Sequence, residues 1–155
     1  MDEKLEGYID VAIAREEEAF AFYSDLAGKV DESATRETLL WIAEEEKKHK
    51  AFLVGFKKKG ARPEAMRLTD VIYYKIAEYL EEPEPGEGMQ RESVFLIASH
   101  RELRSYQFYS QLAELYDPGE TVREVLLRIA NEELKHKEKM EYLYANAAFP
   151  QTDGG

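Results

Sequence analysis

The chain carries an internal repeat that spans most of its length, and this repeat limits the folds that it can adopt. Residues of the first half match residues of the second at an offset of 86, and from Arg36 onward at an offset of 87. One extra residue in a turn, Tyr116 to Glu120, accounts for the change. Two copies of so long a unit do not make a solenoid, whose repeats are shorter and more numerous. The repeat predicts a duplicated helical hairpin whose two copies meet face to face.

Apolar residues recur at helical spacing in four long segments, residues 2–30, 33–59, 89–116 and 120–147. No segment shows the sustained alternation of a strand. The connections are short, long and short, and the long one, residues 61–90, carries a short apolar stretch that predicts an extra helix, with Thr69 as its N-cap. This order predicts an all-α, ferritin-like four-helix bundle made of two antiparallel hairpins with a long crossover between the second and third long helices.

Each predicted helix has an apolar seam, and polar residues interrupt all four seams near mid-length. The interruption is a glutamate in the first and third helices, and Glu-x-x-His in the second and fourth. Burying unpaired charge is very costly, so these side chains need partners inside the core. The six residues are Glu16, Glu46, His49, Glu102, Glu133 and His136.

A pair of metal ions is the partner that fits this set. Glutamate and histidine three residues apart lie on one face of a helix, about 4.5 Å apart along its axis, and can hold the same ion. One imidazole and several carboxylates per ion favour iron or manganese, and the combination is the known ligand set of di-iron carboxylate bundles. Two irons are therefore the predicted cofactor, with manganese or zinc as alternatives. The rival is a buried salt-bridge cluster, but no lysine or arginine occupies these seam positions.

Charge and composition exclude several other classes. A net charge of −11 would repel nucleic acid, and no apolar run reaches the ~20 residues of a membrane span. The polar first residues do not resemble a signal peptide, so a cytoplasmic protein is expected. The absence of cysteine excludes thiolate ligands from this chain. We expect one domain, residues 1–148, followed by a flexible tail at 149–155.

Several strings carry a family resemblance. Residues 12–16 (AIARE) with Phe22-Tyr23, and residues 43–49 (AEEEKKH), are repeated as residues 98–102 (ASHRE) with Phe108-Tyr109, and as residues 130–136 (ANEELKH). These strings resemble rubrerythrin-type proteins of the ferritin-like superfamily over all four long helices. The resemblance implies that Glu16 and Glu102 are terminal ligands, that Glu46 and Glu133 bridge two irons, and that His49 and His136 supply one nitrogen each.

The resemblance also implies a non-haem di-iron oxidoreductase whose reduced centre reacts with hydrogen peroxide or dioxygen. Rubrerythrin peroxidases usually carry a further glutamate one turn after the third-helix ligand; here that position is Ser105 and its repeat mate is Ala19. This symmetric six-ligand set is similar to that of bacterioferritins, so a ferroxidase or iron-storage protein is an alternative. Oxygenation of an organic substrate and a redox-silent, metal-stapled bundle are two further alternatives.

Two tyrosines and the partners complete the expectations. Tyr23 and Tyr109 follow Glu16 and Glu102 by two helical turns on the same face. They could hydrogen-bond ligand carboxylates or relay an electron, or they could be ordinary core residues. Without a cysteine-rich module in this sequence, we expect a separate electron donor such as a rubredoxin-like protein, or ferrous iron itself. Apolar flanks such as Phe20, Phe52 and Tyr106 predict a homodimer.

Overall fold

The computed structural model describes residues 1–60, 63–66 and 68–149. In these residues the chain forms five α-helices and one short 3-10 turn. The helices are α1 (Glu3–Ala27), α2 (Ser33–Lys59), α3 (Ile76–Tyr79), α4 (Arg91–Ala113) and α5 (Thr121–Ala148), with the 3-10 turn at Pro63–Ala65. None of these described residues lies in a strand. The all-α prediction is confirmed, and the long helices end within about three residues of the predicted positions, as fraying of helix ends allows.

Local signals explain several helix boundaries. Asp2 caps α1, because its side chain accepts a 2.7 Å hydrogen bond from the backbone N–H of Leu5. Gly60 ends α2 at a φ of +76°, a backbone conformation that favours glycine. The predicted cap of the crossover helix at Thr69 is wrong: α3 starts at Ile76, after Lys75 in the left-handed conformation. Thr69 is instead held by a side chain of α5.

The chain forms two compact units, one of Met1–Ala65 and one that begins at Met66. In the first unit α1 packs along α2. Two ion pairs show that the helices are antiparallel, since Lys57 contacts Asp10 at 2.6 Å and Lys50 contacts Glu17 at 3.1 Å. The hydrogen bond to Asp10 raises the pKa of Lys57. The first unit is thus the predicted hairpin.

In the second unit α4 packs along α5, and α3 packs on α4. The turn from α4 to α5 contains Gly119 at a φ of +94°. Arg123 donates a 2.7 Å hydrogen bond to the backbone carbonyl of Tyr116, which ties the start of α5 to the end of α4. The crossover from Met66 onward belongs to this unit. The second unit is therefore a hairpin together with the crossover segment.

The predicted seams are the buried faces of all four long helices. The seams comprise six positions on each long helix: Ile9, Ala12, Glu16, Ala19, Tyr23 and Leu26; Leu39, Ile42, Glu46, His49, Leu53 and Phe56; Phe95, Ala98, Glu102, Ser105, Tyr109 and Leu112; and Leu126, Ile129, Glu133, His136, Met140 and Leu143. All are buried except Ser105 and Leu143, which are partly exposed. Leu39 and Leu126, repeat mates, are fully buried, while the adjacent Leu40 and Leu127 are more than 40% exposed. Helical periodicity therefore identified the core face position by position.

A single domain over residues 1–148 stays a prediction. The predicted tail, 149–155, lies outside the described residues except for Phe149, which ends α5 and is 76% exposed.

No helix in the described ranges combines the length and the apolar character needed to cross a membrane.

Candidate metal centre

The first unit contains a buried group of two carboxylates and an imidazole. α1 supplies Glu16, and α2 supplies Glu46 and His49 one turn apart. All three are at most 5% exposed. Each offers a ligand atom, and these atoms lie within 4.8 Å of one another. We call this group the first triad.

The second unit repeats the arrangement with Glu102 on α4 and with Glu133 and His136 on α5. These residues are at most 6% exposed, and their ligand atoms also lie within 4.8 Å of one another. We call this group the second triad. The repeat seen in the sequence is therefore preserved in the positions and the burial of the side chains.

The distances within the triads suit a shared cation. His49 Nδ1 lies 3.7 Å from Glu16 Oε1, and His136 Nδ1 lies 3.8 Å from Glu102 Oε2. Both distances exceed the ~2.7–3.2 Å of a hydrogen bond between such atoms. Two ligand atoms that each lie ~2.1 Å from one ion are about 3–3.5 Å apart, so a small closure of each pair would complete the geometry.

The donor set also fits iron. Two carboxylates and one imidazole in each triad are the hard and intermediate donors that iron and manganese prefer. A divalent ion would offset the negative charge that these buried carboxylates concentrate. The six predicted ligands are thus brought together as two triads, one per unit, and their role as ligands stays a prediction.

Two further glutamates and a histidine stand within two residues of the predicted ligands in the sequence. Glu45, which helical spacing places on the flank of the seam, is partly exposed and pairs with Lys48 at 3.0 Å. Its repeat mate Glu132 is also partly exposed. His100 Nε2 hydrogen-bonds the carbonyl of Leu80 at 2.7 Å, so this histidine holds the crossover.

Tyr23 and Tyr109 are both 1% exposed and occupy matching positions in the two units. Each ring makes an edge-to-face contact with the phenylalanine before it: 5.6 Å between centroids for Phe22–Tyr23 and 5.1 Å for Phe108–Tyr109. This packing fixes the rings. Their assignment to the site stays a prediction.

Sequence reasoning missed a buried charge network that begins at Lys137, the residue after His136 on α5. Lys137 Nζ lies 2.8 Å from Glu141 Oε1 and 2.8 Å from Glu78 Oε1, and Glu141 Oε2 accepts a hydrogen bond from the backbone N–H of Ala77. Lys137 and Glu141 are at most 3% exposed. The repeat contained a signal for it: Glu141 replaces Val54, an apolar residue at the matching position of α2.

Comparison with known proteins identifies the family. A family model described as Rubrerythrin matches residues 7–144, nearly the whole chain. No curated protein and no solved structure matches the chain. The family is ferritin-like and binds di-iron centres, in agreement with the all-helical fold and the two buried triads. The chain therefore belongs to the rubrerythrin family.

Proposed function

We propose that this protein is a non-haem di-iron oxidoreductase that reacts with hydrogen peroxide or dioxygen. The observation that carries the proposal is the pair of triads: in each unit a buried Glu-x-x-His on one helix lies beside a buried glutamate of the neighbouring helix. The family's di-iron chemistry supports the assignment of all six residues to one dinuclear centre. Manganese or zinc could occupy the same donors.

The proposed roles follow from the ligand types. Glu16 with His49 and Glu102 with His136 would each hold one metal ion, and Glu46 and Glu133 would bridge the two. Two ions that share these carboxylates would act together on one molecule of O₂ or peroxide. When bound, two ferrous ions supply the two electrons that, with two protons, reduce hydrogen peroxide to two waters.

The protein's own contribution would be a dry, shaped and charged pocket. Burial of the glutamates excludes water, and it strengthens their attraction for a cation relative to the same groups at the surface. Tyr23 and Tyr109 follow Glu16 and Glu102 by two helical turns on the same helix face. From there each tyrosine would orient a ligand carboxylate or pass an electron. Since this sequence holds no cysteine, we propose a separate electron donor such as a rubredoxin-like protein.

A ferroxidase or iron-storage role is the second candidate, and one observation favours it. Ser105 and Ala19 occupy the positions where a further carboxylate would extend the ligand set, and Ala19 is buried. The ligand set is therefore the same in both repeats. In this reading ferrous iron is the substrate, and its oxidation feeds a mineral store. Storage needs a closed cage, so the mass of the assembly in solution separates the two readings.

Oxygenation of an organic substrate and a redox-silent bundle stapled by metal are the third and fourth candidates. A homodimer and a cytoplasmic location also stay predictions. Phe20, Phe52 and Tyr106, whose apolar surface motivated the dimer, are half-buried within the chain. Sedimentation or light scattering would separate a monomer, a dimer and a cage.

Anaerobic loading with ferrous iron tests the main proposal. The protein should bind two irons per chain. Addition of peroxide should oxidise both irons in one rapid step, which is monitored through the absorbance of the ferric product. Glu46→Gln should abolish this oxidation, while Glu45→Gln, one residue away on the flank, should retain it. Tight binding of two metal ions with no oxidation by peroxide or dioxygen would instead support the redox-silent bundle.

A further inference from the structure

The crossover residues 68–82, here called the strap, are fastened to α5 by side chains that point outward from this helix. The amide of Asn131 accepts a 2.9 Å hydrogen bond from the backbone N–H of Thr69 and donates one of 2.9 Å to its carbonyl. Glu138 accepts a 3.0 Å bond from the N–H of Ile72. These contacts join residues more than 60 positions apart, so they depend on the tertiary fold.

The strap is also fastened to α4. His100 Nε2 lies 2.7 Å from the carbonyl oxygen of Leu80. Arg104 donates to both carboxylate oxygens of Glu82, at 2.6 and 3.3 Å. Such a bidentate pair fixes orientation as well as distance. The strap therefore links the two helices of the second unit through bonds outside their own packing interface.

The points of attachment bracket the second triad along both helices. On α4, Glu102 lies midway between His100 and Arg104. On α5, Glu133 and His136 lie between Asn131 and Glu138. Each residue of the second triad is thus two residues from an attachment point. Movement of a ligand along its helix axis would require the strap bonds to stretch or break.

The buried network of Lys137, Glu141 and Glu78 adds a rigid support at the same level. Lys137 follows His136 directly, and its ammonium is held by two carboxylates at 2.8 Å. Glu141 also fixes the N–H of Ala77 at the start of α3. A buried charge cannot leave its partners without a large desolvation cost, so this support resists local opening.

The residues that hold the strap are not repeated in the first half of the sequence. The positions that match Asn131, Glu138 and Glu141 carry Glu44, Ala51 and Val54. Alanine and valine side chains cannot accept a hydrogen bond. The positions that match His100 and Arg104 carry Ala14 and Glu18. The two triads are alike, while the supports around them differ.

In the first unit two ion pairs, Lys50–Glu17 and Lys57–Asp10, join α1 directly to α2, and all four side chains are more than a third exposed. The strap bonds of the second unit also face solvent, since Arg104 is 49% exposed, but there several bonds hold one segment against both helices. Exposed pairs contribute little singly and more where several form a network, and the second unit adds the buried pair of Lys137 and Glu141.

We propose that the strap preorganises the second triad, so that the first equivalent of divalent metal binds at Glu102, Glu133 and His136 and the second equivalent binds more weakly. A site held in its bound geometry before the ligand arrives binds more tightly, because less ordering is needed on binding. The order of binding rests on the proposed metal function. The difference in rigidity between the two units rests on the fold alone.

Hydrogen exchange of the metal-free protein tests the rigidity. Amides of residues 98–106 and 129–138 should exchange at least about tenfold more slowly than those of the matching residues 12–20 and 42–51. The double substitution Asn131→Ala with Arg104→Gln, at a partly exposed and an exposed position, should remove this difference without affecting the first unit. Lys50→Gln is the matched control and should leave the second unit unchanged. Equal exchange in the two units of the wild type would overturn the proposal.

Titration with Co(II), followed by its visible absorbance, tests the order of binding. Wild type should bind two equivalents in two steps. His136→Gln should lose the tighter step and His49→Gln the weaker one, and the strap double variant should weaken the tighter step about tenfold. Two equal steps, or the reverse order, would refute the proposal while leaving the metal function intact. Failure of the wild type to bind cobalt would refute both the order and the proposed function.

Discussion

Lys137 and Glu141 lie one turn apart on α5 and form an ion pair of 2.8 Å in which both side chains are almost fully buried. The pair is not part of the apolar seam. It faces the strap, and it fixes the backbone of Ala77 through the second carboxylate oxygen of Glu141. A buried pair of this kind is costly to break on one side, because the partner that remains keeps its charge without compensation.

Lys137→Met should therefore destabilise the protein by about 3–5 kcal/mol. The double variant Lys137→Met with Glu141→Leu should recover part of this loss, because no buried charge is left over. Urea unfolding measures both. The repeat mate Lys50, which is 42% exposed in its pair with Glu17, provides the control: Lys50→Met should cost less than about 1 kcal/mol. Equal losses at the two lysines would contradict the role assigned to burial.

The seam predicts which of two adjacent glutamates binds metal. Glu46→Gln and Glu133→Gln should lower the metal content of the purified protein well below two ions per chain, because each removes a charged donor from a buried triad. Glu45→Gln and Glu132→Gln change the adjacent, partly exposed residues and should keep two ions. Elemental analysis of the four variants measures the difference. Loss of metal in all four would show that total charge, and not seam position, controls binding.

Removal of the metal should lower the thermal stability. Ligand present at 100 times its Kd stabilises a folded protein by about 2.7 kcal/mol. For a chain of this size, each kcal/mol corresponds to about 2–4 °C in Tm. Calorimetry of the metal-free and reloaded protein should therefore show a rise of roughly 5–10 °C on reloading. A Tm that does not depend on metal would argue that the triads bind none.

Leucines on and beside the seam should differ in their contribution to stability. Leu39 and Leu126 are fully buried, so Leu39→Ala and Leu126→Ala should each cost about 2–5 kcal/mol. Leu40→Ala and Leu127→Ala, at neighbouring positions that are 46% and 42% exposed, should cost less than about 1 kcal/mol. Chemical denaturation of the four variants checks both the core face and the repeat. A large loss at Leu40 or Leu127 would show that the exposed face makes further contacts.

The two buried tyrosines allow a test of their proposed role in the reaction. Tyr23→Phe and Tyr109→Phe keep the ring packing against Phe22 and Phe108 but remove the hydroxyl. Metal content should remain at two ions, while the rate of iron oxidation or re-reduction should fall by roughly tenfold, as expected for loss of a positioned polar group. Tyr106→Phe, at a partly exposed position on α4, is the control. Unchanged rates in both variants would assign Tyr23 and Tyr109 to the core alone.

Much of the candidate site could be predicted because its signals are local. Helical periodicity depends only on neighbours within a few residues, so it identified the buried face on which Glu46 and His49 lie together. The repeat then supplied the second copy, Glu133 and His136. Two seam positions, Ser105 and Leu143, are partly exposed although the pattern predicts burial. The reason is also local, because water easily reaches a small polar residue or a position near a helix end.

The strap could not be predicted in the same way. Thr69 has the form of a helix cap, yet its backbone is taken by Asn131, and the helix starts seven residues later. The choice between these alternatives depends on a contact across 62 positions, which no periodicity encodes. The same holds for the burial of Lys137, whose charge would place it at the surface in the absence of Glu78 and Glu141.

From sequence alone came the helices, their buried faces and the six side chains placed on those faces, because helix formation and amphipathic patterning are properties of short segments. Only the tertiary structure decided how close His49 lies to Glu16, how the crossover folds, and that the strap lies along the helices of the second repeat. Those features come from pairings between distant segments, and their energies depend on which groups the fold removes from water.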